Sequence, residues 1–265
     1  MRNIAIEFSY DGTGYYGVQY QREVPTVQGV MEEALARITK ERVRLKISGR
    51  TDTGVHAVGQ VGSFITRSKM SPWEFKIALN SELPQDIRVN LASEMPMDFH
   101  PRYSAIKRWY RYIVYNSRTQ SPFIRNHAVW IPFELDLGLL NSYAREIIGT
   151  HDFSAFATVE RGDLPLRTVY EARFIRKGDF VIFDIIGRSF LRKMVRTLVG
   201  TFLYLEKHKV SPVRVREILL SRDRKQAGDS AKPYGLYLYK IFYPEKYQRR
   251  LAESTKIEEK GYWSR

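Results

Sequence analysis

Apolar and polar residues alternate along Asn3–Ser9, placing Ile4, Ile6 and Phe8 on one side of an extended segment. The period then changes. Val27, Val30, Ala34, Leu35 and Ile38 recur at helical spacing and predict a helix over Val27–Lys40. Alternation returns at Val43–Ser48 and Ala57–Thr66, predicting two strands. Ser71, Pro72 and Glu74 supply an N-cap, a first-turn proline and a capping box for a second helix. Ile87, Val89 and Leu91 then alternate as a further strand. The order is βαββαβ.

From about residue 105 the order repeats. A strand is predicted at Ile106–Asn116, and a helix over Asp136–Gly149, ending on a C-cap-type glycine. A hairpin follows, Thr168–Arg176 and Phe180–Gly187, turning at Lys177-Gly178-Asp179. Then come a long helix from Ser189 to about Lys207, a shorter one at Pro212–Ser221 and a last strand at Gly235–Tyr243. The pattern predicts an α+β fold of two ferredoxin-like, RRM-like βαββαβ halves. They form a pseudo-symmetric pair with a central, mostly antiparallel sheet and a cleft between them. The N-terminal half spans 1–100 and the C-terminal half 101–245, joined around the proline-containing segment Met95–Arg102. Residues 246–265 read as a polar tail of mixed charge, a surface helix or partly disordered, with no core of its own. RNA-recognition modules offer an open sheet face of this kind to bases.

Charge narrows the partner. The 265 residues carry 43 Lys+Arg against 29 Asp+Glu, a net charge of +14, which points to a polyanion. Arginines interleave with aromatics in Arg108-Trp109-Tyr110-Arg111-Tyr112, a mixture suited to phosphates and unstacked bases. Arg188, Arg192, Lys193 and Arg196 accompany apolar residues on the predicted long helix. No segment has the exposed amphipathic face that membrane binding asks for, and no apolar run is long enough to span a bilayer. Glu7 comes too early for a signal-peptide core, so no export is expected and a cytoplasmic location fits. With no cysteine there is no disulfide framework, thiolate nucleophile or zinc–sulfur site.

Candidate chemistry centres on Gly49-Arg50-Thr51-Asp52-Thr53-Gly54-Val55-His56-Ala57. Asp52 stands between Arg50 and His56 in a glycine-bracketed turn between strands. The adjacent cation favours an ionised carboxylate, and glycine allows the tight turn. Gly12-Thr13-Gly14-Tyr15-Tyr16-Gly17 fits a dinucleotide fingerprint but opens no helix, so it reads as turn glycine with a backbone approach to phosphate open to it. His56, His100, His127, His151 and His208 are scattered without metal spacing and read as hydrogen-bonding residues. In the strand at 106–116, Tyr110, Tyr112 and Val114 share one face, and Trp109, Arg111, Ile113 and Tyr115 the other. Spacing favours Tyr110 as a core aromatic; the alternative is a base-stacking ring. Arg192 and Arg196, four apart, project from one helix face, with Leu191, Met194, Val195, Leu198 and Phe202 on the buried side. If Arg196 turns into the cleft it pairs with Asp52, since a buried lone carboxylate costs several kcal/mol.

These segments together resemble the tRNA pseudouridine synthase A family along nearly the whole chain, from Tyr10-Asp11-Gly12-Thr13 to Gly235-Leu236-Tyr237-Leu238. The family signature Gly-Arg-Thr-Asp-Ala-Gly-Val-His-Ala appears at 49–57 with Thr53 in place of alanine, a change that leaves the aspartate intact and bears only on local packing. Tyr110-Arg111-Tyr112 and Ser189-Phe190-Leu191-Arg192-Lys193-Met194-Val195-Arg196 match two further family segments. The resemblance implies an isomerase that converts uridines at positions 38, 39 and 40 of the tRNA anticodon stem-loop to pseudouridine. It implies a homodimer with no metal or organic cofactor, one tRNA touching both subunits. It places Asp52 on the catalytic aspartate, Tyr110 on the tyrosine stacked on the target uracil and Arg196 on the arginine paired with that aspartate. Arg50 falls on an arginine that holds the flipped nucleotide or its phosphate.

The chemistry agrees with the residues. The N1–C1′ bond breaks, the base turns, and a C5–C1′ bond forms, with nothing oxidised. A carboxylate serves by attack on C1′, as in retaining glycosidases, by addition to C6, or by taking the C2′ proton. The target must leave its stack, and an aromatic face replaces ~1–3 kcal/mol of lost stacking. The reading from a different class is a tandem RNA-binding protein or tRNA chaperone, in which Asp52 is a structural turn residue.

Overall fold

The computed structural model describes residues 1–159, 162 and 164–252, and the chain divides into two compact units. Unit 1 takes Met1–Ile106 and the chain from Leu238 onward; unit 2 takes Lys107–Tyr237. The division differs from a simple cut near residue 100, because the chain from Leu238 onward, with most of the last strand, groups with Met1–Ile106.

Unit 1 runs β1 (Arg2–Tyr10), α1 (Val27–Thr39), β2 (Lys46–Ile47), β3 (His56–Thr66), α2 (Pro72–Glu82) and β4 (Ile87–Met95), joined by β10 (Leu236–Phe242) from the far end of the chain. The strand order is β4-β1-β3-β10, with β2 also pairing with β3. β1 is antiparallel to both β3 and β4, and β2 to β3. The alternation read at Ile4, Ile6 and Phe8 is the core face, and all three are fully buried. α1 is capped by Thr26 and buries Val27, Met31, Ala34 and Leu35. α2 carries the full capping box, Ser71 and Glu74 each bonding the other's backbone N–H. Its Phe75 meets Phe64 of β3 edge-on at 5.4 Å between ring centres. The strand expected at Val43–Ser48 shrinks to two residues.

The opposite face of β1 is closed by chain-end residues. Asn3 donates to the carbonyls of Pro96 and Phe99, and the Phe99 ring lies 5.2 Å from those of both Tyr243 and Tyr247. The start of the expected polar tail is therefore anchored. Residues 245–252 are helical, and Tyr247 and Leu251 are buried. Residues 253–265 of that tail lie outside the described residues.

Unit 2 orders its strands β5-β9-β8-β7: β5 (Lys107–Asn116), β9 (Phe180–Gly187), β8 (Leu166–Lys177) and β7 (Gly149–Asp152), all antiparallel neighbours. β6 (Val129–Ile131) adds a parallel pairing to β5. Helices α3 (Leu137–Arg145), α4 (Met194–Lys207) and α5 (Val213–Ser221) complete it. Phe174 stacks on Phe183 at 4.5 Å, Phe202 of α4 meets Phe183 at 6.0 Å, and Tyr143 of α3 meets Phe202 at 6.0 Å. Each such buried ring contributes about 2–3 kcal/mol of transfer free energy.

Two helix boundaries differ from the sequence expectation. α3 ends at Arg145, and Gly149, at φ +114°, opens β7 instead of capping the helix. α4 begins at Met194, not Ser189, because Thr158 N–H bonds the Arg192 carbonyl in an isolated bridge and Lys193 turns left-handed at φ +62°. Arg188, Arg192 and Lys193 thus lie before the helix, and Arg192 shares no helix face with Arg196. The expected apolar side holds: Leu191, Met194, Val195, Leu198 and Phe202 are buried.

Candidate active site

The turn carrying Asp52 is fixed from both sides by unit 1. On its entry side, buried Gln60 accepts from the Ser48 hydroxyl at 2.7 Å and donates to the Gly49 carbonyl at 2.9 Å. On its exit side, Val55 N–H closes onto the Asp52 carbonyl at 3.1 Å and Gly54 takes left-handed backbone at φ +73°. Between them, Val18 N–H bonds the Thr51 carbonyl at 3.3 Å, and the buried Tyr10 and Thr51 hydroxyls meet at 2.7 Å. Asp52 itself is half-buried and Arg50 is exposed.

The Gly12–Gly17 run lies against this same turn. A Cβ on Gly12 would stand 2.1 Å from the Val55 carbonyl oxygen, and one on Gly17, at φ +88°, 2.7 Å from that of Thr51. Side chains at either place would force the two loops apart. The first and last glycines of this motif serve backbone-to-backbone packing. His56, almost fully buried, joins the loops: Gly12 N–H donates to Nδ1 at 3.0 Å, with Asp11 Oδ1 3.1 Å from the same nitrogen. Tyr15 donates to Asp86 at 2.8 Å, and burial, then Asp86, holds its phenol above the ordinary range.

In unit 2, Tyr110 lies on the buried face of β5 with Tyr112 and Val114 and is 8% exposed. Its ring meets Phe190 nearly perpendicularly at 5.3 Å, so a base reaches Tyr110 only through the small area left open. Arg196 sits in the first turn of α4. Its Nε donates to the Ala231 carbonyl at 2.8 Å, and Ala231 N–H returns a bond to the Arg196 carbonyl at 2.9 Å. The chain around Ala231 follows α4 closely: a Cβ on Gly200 would stand 1.9 Å from the Asp229 carbonyl oxygen, and the Thr197 and Ser230 hydroxyls meet at 2.8 Å. Tyr112 donates to the Lys232 carbonyl at 2.7 Å. Burial raises its phenol far above the usual range, against the opposite pull of the Arg196 guanidinium, which therefore lies within electrostatic reach of this face.

The four sequence-predicted site residues thus fall two to a unit: Arg50 and Asp52 in one turn of unit 1, Tyr110 and Arg196 in unit 2. Two arginines of the aromatic run are bound to the protein and do not form the phosphate-facing cluster the run suggests. Arg108 is buried and donates to the Arg188 carbonyl at 2.8 Å. Arg111 grips buried Asp184 through two bonds of 2.8 and 2.9 Å, and Trp109 Nε1 donates to the same carboxylate at 2.7 Å. An apolar recess of about 310 Å³ in unit 2 is lined by Ile113, Phe180 and Ile182, on the face of β5 away from Tyr110. It holds no carboxylate and does not serve this chemistry. Thr51, Tyr10 and Phe190 were not singled out from spacing; Thr51 and Phe190 lie inside the Asp52 and Arg196 motifs, whereas Tyr10 gave no such signal.

Comparison with known proteins gives one consistent answer. A family model described as tRNA pseudouridine synthase matches residues 6–104 and 143–244. A tRNA pseudouridine synthase A of Thermotoga petrophila is 40% identical over 92% of this chain and 100% of its own length. One from Thermoanaerobacter sp. (strain X514) is 43% identical over the same shares, and one from Francisella tularensis subsp. novicida is 36% identical over 92% of this chain and 95% of its own.

Proposed function

Because the chain belongs to the tRNA pseudouridine synthase family, an isomerase acting on tRNA uridines, we propose that Asp52 is its nucleophile and that its targets are uridines 38, 39 and 40 of the anticodon stem-loop. The observation that carries this reading is the Asp52 turn. It is a half-buried carboxylate on a loop held at Gly49, Thr51, Gly54 and Val55, two residues along the chain from the exposed Arg50. Isomerisation asks for one ionised carboxylate and a base drawn out of its stack. Asp52 supplies the first, by attack at C1′ or C6 or by taking the C2′ proton. Tyr110 supplies a face for the uracil, Arg196 steadies the carboxylate, and Arg50 holds the everted nucleotide or its phosphate. N1 leaves C1′, C5 takes its place, the C5 proton is removed and N1 gains one, so the sum is an isomerisation. We also propose that the two halves read from the sequence, 1–100 and 101–245, follow the split βαβ plan, supported in the first by β1 lying between β3 and β4, and that the working form is a homodimer in the cytoplasm. No helix among the described residues is long and apolar enough to cross a membrane.

An Asp52→Asn enzyme tests the reading. Pseudouridine in unmodified tRNA transcripts is expected to vanish while tRNA binding stays within about twofold, since the side chain keeps its size and loses its nucleophilic charge. Retained isomerisation by Asp52→Asn sinks the assignment. Mapping the product nucleotides in the same assay decides the anticodon positions.

A further inference from the structure

Resting on Asp52 as nucleophile, we propose that the Tyr10–Thr51 hydroxyl pair is the positioning device for that carboxylate, holding it through the backbone of its preceding residue. Thr51 is gripped on three sides. Its side-chain oxygen meets Tyr10 Oη at 2.7 Å, its carbonyl receives Val18 N–H at 3.3 Å, and Gly17, lacking a Cβ, is packed against that carbonyl. Tyr10 is 4% exposed and Thr51 8%, so water competes poorly for the bond. Asp52, one residue on, is half-buried, and its own carbonyl is tied to Val55 N–H.

The tyrosine hydroxyl is not needed to fill the core. Tyr10 extends the apolar face of Ile4, Ile6 and Phe8, with its ring 6.0 Å from that of Phe8, a packing that phenylalanine would reproduce. What the oxygen adds is a rigid strut from the end of β1 to the residue before Asp52. A carboxylate that attacks one atom of a flipped nucleotide must be held in its productive geometry before the substrate arrives. A displacement near 1 Å costs ~100-fold in rate. The Gly12–Gly17 run acquires a role here as the second clamp on the same residue, in place of a phosphate loop.

The test uses the full-length enzyme and unmodified tRNA transcript, with kcat and KM measured separately and thermal unfolding followed for each variant. Tyr10→Phe and Thr51→Val are each expected to lower kcat about 10- to 100-fold with KM within twofold, at temperatures well below melting. Their double mutant is expected to be no worse than either alone, since both remove one bond. Thr51→Ser, which keeps the oxygen, is expected to restore most of kcat. A wild-type kcat for Tyr10→Phe overturns the positioning role. A kcat loss that merely follows the unfolded fraction, or one that Thr51→Ser fails to restore, overturns it equally. Asp52→Asn is run alongside: if it stays active, the nucleophile assignment has failed, whereas a dead Asp52→Asn beside a fully active Tyr10→Phe condemns only the strut.

Discussion

Glu7 lies on the face of β1 away from Ile6 and Phe8, in register with Val61 of β3 and Leu91 of β4. Burial there holds its carboxyl above the ordinary range, and Lys240 pulls the other way without cancelling the shift. The folded chain therefore binds this proton more tightly than the unfolded one. Its contribution to stability is complete below the unfolded value of 4.5 and is lost as pH rises through the higher folded value. Glu7→Gln is expected to raise the urea midpoint at pH 7 and to leave it unchanged below pH 4.5; an equal midpoint at pH 7 would contradict this account. Residues of this kind were only half legible in the sequence. Asp52 stood out because a turn motif announces itself locally. The Tyr10–Thr51 bond joins positions 41 apart, and Tyr10 simply prolongs an apolar alternation, so its hydroxyl carried no separate signal. Arg111 misled for the same reason, since Asp184, which occupies it, is 73 residues away.

Elements were legible where their signals are local. The capping box at Ser71 and Glu74 set the start of α2 to the residue, and the Gly178 turn set the β8–β9 hairpin. They were illegible where another chain segment decides. α4 is cut short at its N-terminus by Thr158, more than thirty residues before it, and β6 and β7 are three and four residues of edge pairing with no pattern of their own. The segment packed along α4 is similarly dictated from a distance. Gly200→Ala puts a methyl group against the Asp229 backbone, which must then retreat and loosen the Arg196–Ala231 bonds. We expect a stability loss of about 2 kcal/mol, measured by urea unfolding, together with a rise in KM for tRNA. A variant with normal stability and normal KM would show that this close packing does not govern Arg196.

At the scale of the molecule, a net charge of +14 should make tRNA affinity strongly dependent on salt. The logarithm of Kd is expected to rise linearly with the logarithm of salt concentration, by ~0.7–0.9 for each phosphate neutralised. A total slope below one would mean that the excess cations are not the docking surface. The alternation of elements made the two-part plan readable. What it could not show is which part owns the last strand, because β10 has the same composition wherever it pairs.

That ownership has a consequence for how the protein is made. Unit 2 is one continuous stretch, Lys107–Tyr237, whereas unit 1 also needs the chain from Leu238 onward, with most of β10 and the helical turns at 245–252. The portion synthesised first is the portion finished last, so its nascent sheet, with the Asp52 turn already attached to it, keeps an unfilled strand edge for most of translation.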